Sequence, residues 1–132
     1  MTVFVDTSAL LAVLDADDEH HTEAAQLWQR LVESDESMLA TNYVLVETFA
    51  VVQRRLGMDA VRVLVRDVMP LLDVEWVGEE VHTAAVTAIL AANRRGLSLV
   101  DCASFATMQR RGVARAFAFD AHFVEQGFDP PS

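Results

Sequence analysis

Short, almost wholly apolar runs alternate along this chain with longer segments in which apolar residues recur every three to four positions. TVFV at 2–5, Met38 to Ala40 and AFAF at 116–119 are continuous apolar stretches, the pattern of strands buried on both faces of a parallel sheet, while LLDVEW at 71–76 alternates. Helical spacing follows each of them. Thr7 to Leu14 forms one such segment, the polar DADDEHH at 15–21 breaks it, and 22–34 resumes it with Ala25, Leu27, Trp28 and Leu31 on one side. Thr41 or Asn42 is placed to cap a helix that runs to about Leu56 and stops at Gly57. From Asp59 as a further N-cap, Val61, Leu64, Val65 and Val68 repeat at i, i+3, i+4 and i+7 until Pro70. A helix from about Glu79 to Asn93 ends at Gly96, an extended LSL piece leads into Val100, and residues 101–111 are helical up to a C′ glycine at Gly112. Asp120 begins a short helix, and the Gly127 to Ser132 tail reads as irregular. Strands alternating with helices predict a three-layer α/β/α sandwich around a central, mainly parallel sheet, as one domain over residues 1–132.

Four acids interrupt this pattern at its most apolar points. Asp6, Glu47, Asp101 and Asp120 close VFVD, YVLVE, LSLVD and AFAFD. Removing a carboxylate from water is costly by several kcal/mol unless something positive compensates it. Four such placements point to one shared site, and converging carboxylates stay partly protonated unless a divalent cation lies between them. Asp6 and Asp120 fall at carboxyl ends of strands, where α/β sheets bind ligands. Asp101 belongs to the first turn of its helix, a position the macrodipole favours, so a structural role suffices for it alone. Glu47, a turn and a half inside the apolar helix YVLVETFAVV, has no such explanation.

Composition narrows the chemistry. At 132 residues the chain is long enough to bury roughly 65–70% of the surface its unfolded form exposes. Twenty acidic against ten basic residues give a net charge of −10, which argues against broad adhesion to nucleic acid. All ten basic residues are arginine, and the absence of lysine excludes a P-loop, a Schiff base and lysine-assisted phosphate sites. Several arginines are grouped, Arg54 with Arg55, Arg62 with Arg66, Arg94 with Arg95, and Arg110, Arg111 with Arg115; they suit helix C-terminal ends or local bidentate phosphate contacts. Cys102 alone cannot form an internal disulfide, and no signal peptide or membrane-length apolar stretch is visible, so a reducing cytoplasm is the expected compartment, with no membrane partner.

Taken together, VDTSAL at 5–10, VLVETF at 44–49, LVDCASFA at 99–106 and AFAFDAHF at 116–123 resemble the PIN-domain family, especially the VapC-type toxins of prokaryotic toxin–antitoxin pairs. The resemblance covers nearly the whole chain in length, element order and all four acidic positions. It implies a Mg²⁺- or Mn²⁺-dependent endoribonuclease whose metal-binding and catalytic acids are Asp6, Glu47, Asp101 and Asp120, the last acting most often through water. It also places Thr7 and Ser8 at the metal rim and Ser104, three residues past Asp101, as a supporting hydroxyl. RNA is the implied substrate, a cognate antitoxin the implied protein partner, and the nearly all-round apolar helix 43–52 suits a homodimer. The acidic balance departs from a comfortable nuclease profile and leaves the grip on RNA to a few arginines, the metal or a second subunit. Two alternatives stand beside this reading: a PIN-like module whose acidic groove holds a basic partner peptide with little catalysis, and a phosphohydrolase of small substrates, for which the chain lacks a DxD pair and any lysine.

Other chemistry-bearing residues are expected to be structural. His20 and His21 beside Asp15, Asp17, Asp18 and Glu19 read as a solvated loop with a helix cap, and His122, two residues past Asp120, as structural or surface. Cys102 lacks a positioned base, and Trp28 and Trp76 fall in amphipathic patterns that assign them to core or interface.

Overall fold

Residues 1–131 are described by the computed structural model; Ser132, the last residue of the tail, lies outside them. Four strands, β1 (Thr2–Val5), β2 (Ser37–Thr41), β3 (Leu72–Glu75) and β4 (Arg115–Phe117), pair entirely in parallel in the order β3-β2-β1-β4. They are flanked, among the described residues, by α1 (Thr7–Leu14), α2 (His21–Glu33), α3 (Asn42–Leu56), α4 (Met58–Val63), α5 (Glu79–Ala92), α6 (Leu99–Arg111) and α7 (Ala121–Glu125). The expected α/β/α sandwich is thus the observed one. Its logic starts at β1, whose Val3, Phe4 and Val5 are all fully buried and therefore need cover on both faces of the sheet.

Strand order also fixes where a site can form. From β1 the chain steps outward through β2 to β3, then crosses back to place β4 on the other side of β1. The direction reverses between β1 and β4, and in open parallel sheets the crevice above such a switch point is where ligands bind. Pairing of Val5 with Phe117 brings the two carboxyl ends level, and the Asp6 N–H extends the ladder to the Phe117 carbonyl at 3.0 Å. On the far side of β4 the tail runs alongside it, joined through Arg115 and Asp129. The short helix α7 is anchored by Phe123, buried edge-on against Phe105 at a centroid distance of 5.0 Å and beside Phe4 at 6.2 Å.

Several element ends differ from the sequence expectation. Gly57, at φ 88°, ends α3 and also opens α4, so Asp59 lies in the first turn of α4 and pairs there with Arg62 at 2.9 Å rather than capping it. Beyond Val63 the helix widens into a π-helical turn, Leu64–Val68, and a 3₁₀ turn, Met69–Leu71. Asn93 ends α5 in the left-handed conformation at φ 49°, three residues before Gly96, because asparagine tolerates that region well. The LSL piece is extended only as far as Ser98, which caps α6, and Leu99 is already helical. Strand β4 stops at Phe117, and Trp76, 76% exposed just past β3, is not part of the core, the first of the two places expected for it. No helix among the described residues is long and apolar enough to cross a membrane.

Candidate active site

Asp6 is the N-cap of α1, directly above β1. Its Oδ2 accepts the Ser8 N–H at 3.1 Å and the Ser8 hydroxyl at 2.7 Å, and the same hydroxyl oxygen accepts the Phe119 N–H at 2.9 Å. Ser8 therefore ties the β1 acid to the segment that carries Asp120. Only 3% of Asp6 is exposed, and burial pushes its carboxyl up to about 6. The two Ser8 hydrogen bonds oppose that rise, while the negative charges of Asp101 and Glu47 add to it.

Asp101 sits at the third position of α6 in a reciprocal capping box: its Oδ2 accepts the Ser98 N–H at 3.1 Å and the Ser98 hydroxyl accepts the Asp101 N–H at 3.0 Å. The structural and functional readings of Asp101 are thus compatible, since Ser98 engages one carboxylate oxygen. Burial raises its carboxyl as well, with Asp120 contributing repulsion and the Ser98 hydrogen bonds and His122 opposing. Glu47 projects from α3, which Thr41 caps by accepting the Val44 N–H at 3.1 Å. Burial, then repulsion from Asp101 and Asp120, lifts the Glu47 carboxyl, and the Thr7 hydroxyl opposes the lift. Thr7 itself is buried and also faces the Val44 carbonyl at 3.2 Å, with Thr48 3.1 Å behind it.

Asp120 caps α7 through Oδ1, which accepts the His122 N–H at 2.9 Å. Ligand-type atoms of Asp101, Asp120 and His122 lie within 4.8 Å of one another, the tightest group of potential metal donors among the described residues. Asp6 and Glu47 stand outside that group yet within electrostatic reach of it, so the four sequence-identified acids come together from four separate elements. Hard carboxylate oxygens in this number suit Mg²⁺ or Mn²⁺. A groove of about 320 Å³ leads from Glu47 along Tyr43, Val46, Ala50 and Val100.

His122 is the site residue that sequence reasoning set aside. Its Nε2 lies 3.0 Å from the Gly96 carbonyl and 3.9 Å from Asp120 Oδ1, and its Nδ1 lies 3.4 Å from Glu125. Burial lowers the imidazole, but the Glu125 hydrogen bond, Asp120, the Gly96 carbonyl and Asp101 outweigh it and hold the ring above its ordinary value. With acceptors at both nitrogens the ring acts as a donor, which disfavours it as a metal ligand. The available signal was the DAH spacing, which returns the second residue of α7 to its own cap. Ser104, by contrast, is fully buried and donates to the Val100 carbonyl at 2.9 Å. His20 stacks on Phe119 at 4.4 Å, and His21 faces the Ala12 carbonyl at 2.8 Å. Cys102 is buried, with its thiol pushed up by burial and by Asp101.

An all-parallel α/β sandwich with an acidic crevice over its switch point is the class defined by these observations, and the PIN domain family model matches residues 3–129. The chain belongs to the PIN-domain family. Over 127 residues it is 33% identical to the 23S rRNA-specific endonuclease VapC20 of Mycobacterium tuberculosis, in strain CDC 1551 / Oshkosh and in strain ATCC 25618 / H37Rv, covering 96% of this chain and 95% of that protein. The crystal structure of Mycobacterium tuberculosis VapC20, described as a sarcin-ricin loop cleaving toxin, is similar with a TM-score of 0.83 at 33% identity, over 96% of this chain and 95% of that one.

Proposed function

We propose that this chain is a divalent-cation-dependent endoribonuclease, the toxin of a VapBC-type pair, working in the cytoplasm as one unit over residues 1–132. The observation that carries the reading is the meeting of Asp6, Glu47, Asp101 and Asp120 over the β1–β4 switch point, with Asp6, Glu47 and Asp101 held above their ordinary carboxyl range. These four acids would hold Mg²⁺ or Mn²⁺. Bound there, the ion would supply charge neutralisation at the scissile phosphate and an activated water, so that no histidine or lysine base is required.

The surrounding residues keep the acids in place. Ser8 fixes the rotamer of Asp6 through two donated hydrogen bonds, and Ser98 fixes Asp101 within its capping box. The Thr7 hydroxyl, which donates to the Val44 carbonyl at 3.2 Å, ties α1 to α3 one turn before Glu47 and favours its charged form. His122 stands beside Asp120, whose Oδ1 accepts its N–H, and its ring faces the Gly96 carbonyl in the loop that precedes α6. Together these contacts favour a rigid carboxylate set, which cation binding needs because mobile carboxylates must first be ordered.

Similarity to a sarcin-ricin loop cleaving toxin makes a structured rRNA loop the first substrate to try. A labelled hairpin of that sequence and a scrambled hairpin, each incubated with the purified chain in Mn²⁺ or in EDTA, test this. Cleavage of the loop hairpin alone, abolished by EDTA, is expected; equal cutting of both would leave a nuclease of different specificity, and no cutting of either would refute the reading.

A protein partner belongs to the same reading. The net charge of −10 and the acidic crevice favour a basic antitoxin segment, and arginine is the side chain best suited to bridge paired carboxylates. We also propose a homodimer in which a second copy covers Val46 of α3, 68% exposed, together with Trp76. The start of α3 and the segment that carries Trp76 are joined by the hydrogen bond from the Val77 N–H to Asn42 Oδ1, 2.6 Å. Sedimentation at micromolar concentration should give twice the chain mass of 14.6 kDa, and a strict monomer would contradict the dimer.

A further inference from the structure

The acidic body leaves RNA little to hold. Of the ten arginines, Arg62, Arg66, Arg94, Arg110, Arg111 and Arg115 are engaged in ion pairs with acids of this chain. Arg30, Arg54, Arg55 and Arg95 have no such partner among the described residues. Their positions differ sharply. Arg30 is in the last turn of α2, beside Glu36 and Arg115, at the amino ends of the strands and thus opposite the crevice. Arg54 and Arg55 are seven and eight residues past Glu47 on α3, about 10–12 Å further along the helix axis. There the helix C-terminus already accounts for them.

Arg95 is the exception. It lies exposed in the turn between α5 and α6, and both of its chain neighbours are pinned to α7, the helix that Asp120 caps. Arg94 pairs with Glu125 at 2.9 Å, and the Gly96 carbonyl faces His122 Nε2 at 3.0 Å. The turn is closed further by the Leu97 N–H donating to the Arg94 carbonyl at 3.2 Å, and one residue later Ser98 engages Asp101. The backbone of Arg95 is thereby held, about 3.8 Å from the Cα of Gly96, at the rim of the Asp101, Asp120 and His122 group, while its guanidinium stays uncommitted. A cation fixed in place and left without a protein partner, beside a carboxylate cluster that repels polyanions, is suited to a ligand that brings its own negative charge.

We propose that Arg95 grips a phosphodiester of the RNA strand flanking the bond to be cut, with Arg94, His122 and Glu125 as the clamp that positions it. The inference rests on the endoribonuclease reading above. Its contribution is to substrate binding, because a flanking phosphate carries the same charge in the ground state and the transition state. Arg94 and Arg95 therefore differ in role despite being adjacent: the first fastens the turn, and the second is exposed and free to take a phosphate.

Steady-state cleavage of a labelled RNA hairpin by the full chain in Mn²⁺, across a series of salt concentrations, tests this with Arg95→Ala, Arg95→Lys and Arg30→Ala. Arg95→Ala should raise KM roughly five- to tenfold, leave kcat within about twofold, and make the log–log salt slope shallower by about one. Arg95→Lys should recover most of the salt slope, since it keeps the charge, and Arg30→Ala should match the wild type. A merely structural Arg95 would alter melting temperature instead of the salt slope. Wild-type cleavage with Arg95→Ala indistinguishable in KM and slope overturns the proposal alone, whereas a wild type that cuts no RNA overturns the nuclease reading and the proposal with it.

Discussion

Asp6→Asn should make the metal-free protein more stable at neutral pH while removing its activity. The Asp6 carboxyl is raised to about 6 from 3.8, chiefly by burial. A carboxyl raised in the folded state binds its proton more tightly there than when unfolded, so stability is greatest at low pH and declines as pH rises from about 4 through about 6. Above that window the buried charge destabilises the fold by about 3 kcal/mol, the free energy that corresponds to moving the carboxyl from 3.8 to about 6. Asparagine keeps an oxygen for the Ser8 N–H and hydroxyl and carries no charge, so it escapes this term. It also relieves repulsion on Asp101 and Glu47. In EDTA, Asp6→Asn should therefore melt within about 2 °C of wild type at pH 4 and roughly 10 °C above it at pH 7.5, at 3–4 °C per kcal/mol for a domain of this size. Adding Mn²⁺ should close the gap by stabilising the wild type preferentially. Thermal melts followed by circular dichroism across that pH range check it. A variant less stable than wild type at pH 7.5, or a difference that does not change with pH, would refute the account of Asp6 as a repulsive, cation-awaiting carboxylate.

Ser8→Ala removes the hydroxyl that joins Asp6 to the Phe119 N–H, leaving that donor unpaired at a cost of about 1–3 kcal/mol. With one of the bonds that hold the Asp6 carboxyl down gone, the acid limb of the cleavage pH profile should move upward; an unchanged limb would count against Ser8 as the support of Asp6. Ser98→Ala deletes the capping box of α6 and should lower stability by about 1 kcal/mol, read as a fall of about 3–4 °C in melting temperature. It should also weaken cleavage by freeing Asp101, and a stability loss with undiminished cleavage would show that the box serves the helix alone.

The sheet and the acids were legible because each leaves a one-dimensional trace. A run such as VFV has to be buried on both faces, and a carboxylate ending such a run stands out energetically wherever the chain folds. The same local reading failed where the deciding contact is distant in sequence. LSL looked extended through Leu99 because its apolar residues resemble a strand, yet the S-x-x-D of Ser98 and Asp101 was a capping box in plain view that starts the helix at Leu99. Phe119 completed an apolar AFAF, but its N–H is taken by Ser8, which ends the strand at Phe117. Ser8 thus links Asp6 to the backbone of Phe119, the residue before Asp120, a role that its expected place at a metal rim did not include. His122 gained its surroundings from Gly96, 26 residues earlier, and no spacing along the chain announces that contact. Trp76 followed an amphipathic pattern into β3 but lies just past the strand, where the described residues leave it 76% exposed.

The central claim is that Asp6, Glu47, Asp101 and Asp120 act as one cation-holding nuclease centre. Its most direct test is cleavage of a labelled rRNA hairpin in Mn²⁺ by the wild type and by Asp6→Asn, Glu47→Gln, Asp101→Asn and Asp120→Asn, with Mn²⁺ binding to each chain measured in parallel by titration calorimetry. Loss of cleavage by at least about a hundredfold in the Asp6, Glu47 and Asp101 variants, together with weakened Mn²⁺ binding, is the predicted result, as expected when a charged group holding a catalytic ion is removed. Wild-type cleavage that persists in EDTA, or full activity in any of those three variants, would contradict it.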